Sequence, residues 1–506
     1  MGEATLTIQC LAWKSGIGVF CAEIMEWEGR EPRMETTRRE ILYMEVPALL
    51  HLSRLGYGYL SRKELRERDK KTNLMPDSLR TALEKTNHTT ITGEMMEKLT
   101  GELREQLDTE DLGRRFYRTI RDGWNGLKLI DYEHPENNLF RSAAELACGH
   151  GPGSFRPDIT LFVNGLPLAM IEVKTRDYPR KLQAEYDRLL DRSRSREGRV
   201  FLQGVQIWAF SDDHAEDPDR LLPTEGAYYT TAMPEEFILY TVREKRPGIY
   251  ARLRPGNPEE EKRILEDNGI RERPRTRAFR SSLSPGKPTH RMLTTLFHPE
   301  RFLFLLRYGI QYIREKDAGG KEDMLTRRLL TTGELSALEA LTEKARRGYR
   351  NWTFPSCGAA GEKAANASLI ARLRDLAPGA GLYWASADER ELDRDRETLQ
   401  ACGISCGKQG ETPAGQVTLI AMNEDPGIWM KEEGERVSTG QRVIILPQRI
   451  PQYGQKTDFA ASLRRMDPDA ILVTRTSCVR LYEAEIKSTG MFATYSGGYK
   501  IESTLS

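Results

Sequence analysis

Residues 155–174, FRPDITLFVNGLPLAMIEVK, constrain this chain most, because they spell a β-hairpin with ionisable groups at the ends of both strands. Asp158 follows Pro157 and opens the apolar run Ile159 to Val163, which reads as one strand. Asn164-Gly165 can supply the positive φ angles of a reversal, and Leu168 to Lys174 reads as the returning strand. A reversal centred near residue 165 brings Asp158 opposite Glu172. Period-two alternation then sends Glu172 and Lys174 to one face and Val173 to the other. Like charges facing each other across a sheet are destabilising, so the pairing makes most sense with a divalent cation between the two carboxylates.

That geometry suits phosphodiester hydrolysis, which needs a Lewis acid on the phosphoryl oxygens, a water of lowered pKa and a positive group near the developing charge. Oxygen-rich sites select Mg²⁺. The expectation is that Asp158 and Glu172 bind Mg²⁺ with help from the carbonyl of Val173, while Lys174 orients the attacking water or steadies the charge. The competing reading is a surface hairpin whose Glu172 and Lys174 are merely solvated, which is the usual fate of a lone Glu-x-Lys. Against it, Glu172 interrupts an otherwise apolar run.

The hairpin does not stand alone. LKLIDYEHPENNLF (127–140) precedes it, REILYMEVPALLHLSRLGYGYLSR (39–62) lies upstream and FLQGVQIWAFSDD (201–213) follows. Together these runs resemble the N-terminal nuclease domain of the R (HsdR) subunit of type I restriction enzymes, a PD...(D/E)xK nuclease. The resemblance implies an α/β, restriction-endonuclease-like fold, a mixed sheet flanked by helices, and carries the nuclease roles onto Asp158, Glu172 and Lys174. In such sites an acidic residue of the opening helix often joins. Glu40 or Glu45 matches, the alternative for either being a capping or exposed helix charge. The family's Gln-x-x-x-Tyr motif on the next helix finds only Gln183 and Tyr186 here, spaced one residue too closely. Implied partners are double-stranded DNA and the methyltransferase and specificity subunits of a type I system.

A chain of 506 residues has room for two to four domains. Its net charge of +1 gives no global attraction to DNA, so a nucleic-acid footprint must be local. Arg176, Arg180 and Lys181, followed by Arg188, Arg192, Arg194, Arg196 and Arg199, supply one candidate patch just after the hairpin, suited to phosphate contacts. The alternative is a solvated helix face balanced by Glu185, Asp187, Asp191 and Glu197. Seven cysteines without a Cys-x-x-Cys pair argue against a disulfide framework or a zinc site. No run approaches the ~18 apolar residues of a membrane span and no secretory leader is evident, so a cytoplasmic protein without membrane partners is expected.

Four segments are expected along the chain: an N-terminal extension (1–35), the nuclease domain (36–245), a linker or mobile arm rich in Pro, Arg and Glu (246–290), and a second α/β domain (291–506). In R subunits the part after the linker is an ATP-driven translocase of two RecA-like domains. Residues 291–506 resemble a degenerate first RecA-like domain. A phosphate loop needs glycines, a Lys for the β/γ oxygens and a hydroxyl for Mg²⁺. Here Gly361 is followed by Glu362, Lys363 and Ala364. Glu362 opposes phosphate charge and Ala364 has no hydroxyl. Were Glu362 an insertion, Lys363 would still reach a phosphate. The acidic Asp-Glu-Ala-His motif is replaced by Leu446, Pro447, Gln448 and Arg449, and Thr-Gly-Thr by Thr474, Arg475 and Thr476. Neither ATP binding nor ATPase activity is expected.

Three functions fit these observations: a Mg²⁺-dependent endonuclease with the second domain kept as a scaffold, a non-catalytic DNA-binding or assembly subunit, and a decayed restriction subunit. The intact acid-acid-lysine trio favours the first.

Overall fold

The computed structural model of the protein describes residues 38–149, 154–174, 180–213, 226–231, 240–241, 253–316, 323–356, 362–408, 416–422, 441–447 and 459–477. The chain is α/β, with two large sheets.

The first sheet has seven strands in chain order: β1 (Gly58–Tyr59), β2 (Phe140–Ala144), β3 (Ile159–Val163), β4 (Leu166–Val173), β5 (Ile207–Ser211), β6 (Ala227–Thr230) and β7 (Tyr240–Thr241). It is mixed, with β1 and β2 parallel, β2 to β4 antiparallel, β4 and β5 parallel, and β5 to β7 antiparallel. Both faces are buried, which is why β3 and β4 read as near-continuous apolar runs rather than alternating ones. One face packs Ile159, Leu161, Ile171 and Val173 against helices α1 (Val46–Leu55), α2 (Pro76–Asn87), α3 (Gly93–Leu107) and α4 (Arg114–Asp122). The other packs Phe162, Met170, Trp208 and Phe210 against α5 (Arg180–Arg194) and α6 (Arg196–Gly204).

Asn164 (φ 53°) and Gly165 (φ 79°) make the turn between β3 and β4, a reversal that two positive φ angles permit. The turn pairs Val163 with Leu166 and alone would set Asp158 against Ile171. A β-bulge shifts the pairing by one residue between Leu161 and Phe162, so that Ile159 faces Ile171. Continued one step, that register sets Asp158 against Glu172. The sequence argument reached this pairing by placing the centre of the reversal at residue 165; the actual cause is a tight turn plus a bulge.

Residues 253–290 correct the expectation of an unpacked linker. They contain α7 (Pro258–Asp267), α8 (Arg277–Ser282) and the start of α9 (Pro288–Phe297), whose Ile264, Leu265, Phe279 and Met292 join the first core. Proline does not interrupt these helices, because Pro258 and Pro288 occupy their first turns, where a missing N–H costs nothing. Asn257 and Thr276 cap α7 and α8. Tyr57 donates to the Phe297 carbonyl and Tyr59 to Asp267, both at 2.7 Å, tying the segment to the opening helix and β1.

The second sheet has six parallel strands in the order β10 (Asn351–Ser356), β15 (Ile471–Ser477), β14 (Arg442–Leu446), β11 (Gly381–Ser386), β13 (Val417–Ala421) and β12 (Cys406–Lys408). Its faces are covered by α11 (Thr332–Arg346), α12 (Glu362–Leu376), α13 (Glu389–Ala401) and α14 (Phe459–Met466). Between the sheets, α10 (Pro299–Tyr308) leads into the hairpin β8 (Ile310–Lys316) and β9 (Asp323–Leu329). Tyr312 and Arg327 of this hairpin both bond the carbonyl of Leu112. Among the described residues no helix is long and apolar enough to cross a membrane.

Candidate active site

The ends of β3 and β4 hold a buried acid-lysine cluster. Asp158 Oδ2 accepts the Val173 backbone N–H at 2.7 Å and the Lys174 ammonium at 3.0 Å. Lys174 also lies 3.5 Å from Glu172. Alternation and the bulge together put Glu172 on the face of Met170, above the core beneath α5 and α6, while Val173 stays on the opposite face. Glu172 is 3% exposed and Asp158 8%. A surface hairpin with solvated charges does not describe these residues. Glu172 cannot face the apolar core and remain hydrated, and that conflict is what its position inside an apolar run had signalled.

The opening helix contributes Glu45. Pro47 has no N–H to give, and the preceding residues Ile41–Glu45 form a widened π-type turn in which the Val46 N–H reaches back to Ile41. Glu45 follows from this turn into the interior and is 3% exposed. Its carboxylate, that of Asp158 and that of Glu145 offer oxygens all within 4.8 Å of one another. Glu40 is half-buried and does not belong to this set, so tertiary packing distinguishes the two acids that spacing left equivalent.

Glu145 escaped the sequence argument. It follows β2 with a left-handed backbone (φ 49°), and its N–H bonds the carbonyl of Asp158 at 3.1 Å. Glu185 on α5 was likewise missed as a site residue. It is buried, pairs with Arg188 and Arg192, and its charge reaches Glu172 and Lys174. The signal available for both was weak: a single acid beside apolar residues.

Crowding around one ammonium shifts the protonation of Glu45, Glu145, Glu172 and Lys174. Burial, then Asp158 and Glu145, push the Glu45 carboxyl up to about 9. Burial and Asp158 also hold Glu172 and Glu145 above the ordinary carboxylate range. Burial alone lowers the Lys174 ammonium, but Asp158 and Glu172 outweigh it and raise its pKa.

Other sequence candidates fare differently. Tyr186 is buried and packs edge-on against Trp208 and Phe210, with ring centroids 6.0 and 6.1 Å away, which makes it a core aromatic rather than a surface contact for DNA. Arg176 lies outside the described residues. Arg180, Lys181 and Gln183 lie on α5, and their side chains are outside the described part. Later arginines of the patch meet carboxylates: Arg188 and Arg192 with Glu185, Arg194 with Asp191, Arg196 with Asp108 and Arg199 with Glu110.

In the second domain, Gly361, Gln448 and Arg449 lie outside the described residues. Lys363 is half-buried on α12, where its carbonyl is 3.4 Å from the Cys402 thiol. Glu362 is 3.5 Å from Arg475, whose guanidinium lies 4.1 Å over the Trp384 ring and 3.9 Å from Asp395. Glu362 and Arg475, both singled out in the sequence, thus pair with each other.

A seven-stranded mixed sheet with an acid-acid-lysine cluster at the ends of a central hairpin defines a restriction-endonuclease-like α/β domain. Residues 38–215 match the family Type I restriction enzyme R protein N terminus, to which this segment is similar. It is 48% identical over 50 residues to the "Putative type I restriction enzyme MjaVIIIP endonuclease subunit" of Methanocaldococcus jannaschii, covering 10% of this chain and 5% of that protein. It is 47% identical over 47 residues to the "Putative type I restriction enzyme MjaVIIP endonuclease subunit" of the same organism, covering 9% and 4%. The matched stretches are thus a small part of either relative.

Proposed function

We propose that this protein is a type I R-subunit-like endonuclease that hydrolyses phosphodiester bonds of double-stranded DNA with Mg²⁺, in restriction-modification defence. The observation that carries this reading is the buried acid excess around Lys174 at the ends of β3 and β4. Its donor set fits a hard divalent cation. The ligands available are carboxylates, and Glu45 Oε2 is buried without a hydrogen-bond partner among the described residues. Asp158, Glu172 and the Val173 carbonyl would hold Mg²⁺, which supplies Lewis acidity and a more acidic water.

The chain's own groups have separable tasks. The Val173 N–H fixes one oxygen of Asp158. Lys174, kept cationic by its two acids, orients the attacking water or stabilises charge on the phosphoryl oxygens. Arg176, Arg180 and Lys181 precede or begin α5 and are assigned to the DNA backbone. Methyltransferase and specificity subunits are the proposed partners and the cytoplasm the proposed location.

The second domain is proposed to be a degenerate RecA-like lobe that neither binds nor hydrolyses ATP. The Glu362–Arg475 pair supports this, because it sets an acid where a nucleotide needs positive charge and engages the neighbouring cation. Incubation with supercoiled plasmid and MgCl₂, without ATP, is expected to give nicks that Asp158→Ala stops. Cutting that persists in Asp158→Ala would remove the site assignment. A DNA mobility shift with intact plasmid would point instead to a non-catalytic binding or assembly subunit.

A further inference from the structure

We infer that the cleft between α4 and α12 binds a small oligophosphate anion, with Arg114 and Arg118 as its principal contacts. The inference goes beyond the nuclease reading and does not depend on it.

The cleft lies far from the acid-lysine cluster. Its wall includes Leu129, whose carbonyl takes the Asn164 amide at the turn of the central hairpin, so about 20 Å of strand separates it from Asp158. Residues of α4, α10 and β8 line it together with α12 and residues 402–404 of the second domain. Its volume of about 470 Å³ is that of a small-molecule pocket. The α12 residues in the wall run from Ala367 to Asp375, whereas Lys363 stands in the first turn of that helix and is not among them.

Charge singles the cleft out. The acids in its wall are already engaged: Asp122 accepts from Arg121 at 2.7 Å, Asp375 and Glu133 lie 2.8 and 3.7 Å from Arg307, and Asp131 accepts the Glu133 and His134 N–H groups. Arg114 and Arg118 have no carboxylate within 4.0 Å among the described residues, since Asp111 pairs with Arg115 instead. Spaced four apart, the two share one face of α4, where like charges repel. Arg314 of β8 adds a third. Burial, then Arg118 and Arg314, lower the Arg114 guanidinium below its ordinary range. Arg114 is half-buried, and its Nη2 stands 4.0 Å from where a side chain on Gly403 would begin, so it reaches across to the second domain.

An isolated surface arginine needs no partner; two gathered over a cavity beside a third do. Phosphate groups supply the missing charge and the paired oxygens that a guanidinium fork engages. The rings of Tyr117, Tyr308 and Tyr312 in the wall are buried, and the Tyr308 hydroxyl is committed to Asp375 and Arg372. Recognition therefore falls on the phosphates rather than on a stacked base.

Calorimetry of the full chain with tripolyphosphate, in EDTA to keep divalent cations away from the acid cluster, tests this. Wild type is expected to bind one equivalent, and Arg114→Gln and Arg118→Gln should each weaken it about tenfold. Lys363→Ala should bind as wild type does, which separates the cleft from the phosphate loop. Melting controls for folding: both glutamine variants alone should melt no lower than wild type, because repulsion is relieved, and their rise with tripolyphosphate should shrink.

No tripolyphosphate bound by wild type at millimolar concentration, or equal binding by both glutamine variants, overturns the site. Loss of binding in Lys363→Ala alone moves the anion to the phosphate loop and also overturns it. A short duplex that binds wild type and weakens in Arg118→Gln, with no tripolyphosphate bound, makes the cleft a DNA-backbone contact and overturns the small ligand. Each of these results leaves Asp158-dependent nicking, and with it the nuclease reading, in place.

Discussion

The Lys174 ammonium donates to Asp158 at 3.0 Å across the ends of β3 and β4, and the same oxygen takes the N–H of Val173. Removing the ammonium leaves buried carboxylates without their nearest cation. Lys174→Ala is therefore expected to lower stability by about 3 kcal/mol in EDTA, measured by urea unfolding. MgCl₂ should recover part of this deficit, since a bound cation replaces the lost charge. Nicking should fall about 100-fold or more. Equal destabilisation with and without MgCl₂ would contradict a cation beside Asp158.

Glu45 gives a pH dependence whose sign is fixed. Its folded carboxyl is pushed from 4.5 up to about 9 by burial, Asp158 and Glu145, so the fold favours its protonated form. The stability this contributes is full below about 4.5 and is lost as pH rises toward about 9. In EDTA the Tm should fall between pH 7 and 9, and Glu45→Gln should flatten that slope. A Tm independent of pH in wild type over this window would remove Glu45 from the buried cluster.

Asn164 has two jobs that substitution separates. Its amide donates to the Leu129 carbonyl and Asn138 and accepts from the Leu139 N–H, and its backbone takes a positive φ. Asn164→Gly keeps the turn but orphans those partners, and should cost about 2 kcal/mol. Asn164→Ala should cost about 1 kcal/mol more for the left-handed backbone. Urea unfolding of both variants measures the split; equal costs would mean that the network alone matters.

ATP offers a negative test of the second domain. Phosphate release with DNA present is expected to stay at background, and Arg475→Ala should lower the melting point through loss of its Trp384 and Glu362 contacts. ATP-independent nicking by Arg475→Ala should match wild type. Turnover that Glu362→Ala abolishes would restore a working nucleotide site.

The hairpin was legible because strand, turn and strand lie within 20 residues and period-two alternation is a local rule. Local order also exposed Glu172, whose charge breaks an apolar run. Less local features were hidden. Residues 253–290 read as linker by composition, yet Ile264, Leu265 and Phe279 pack on the opening helix, since a few apolar residues on one helix face suffice when a large core is already present.

By itself, then, the sequence determined the two-strand motif that holds Asp158, Glu172 and Lys174, and the α/β class. Only tertiary structure decided that Glu45 rather than Glu40 enters the cluster, that Glu145 meets it from just past the end of β2, and that a bulge in β4 brings Glu172 into line. The reason is physical: a strand or turn is governed by neighbours a few residues away. Convergence of residues 45, 145 and 158 depends instead on how a helix and two strands pack, and no short-range pattern records that distance.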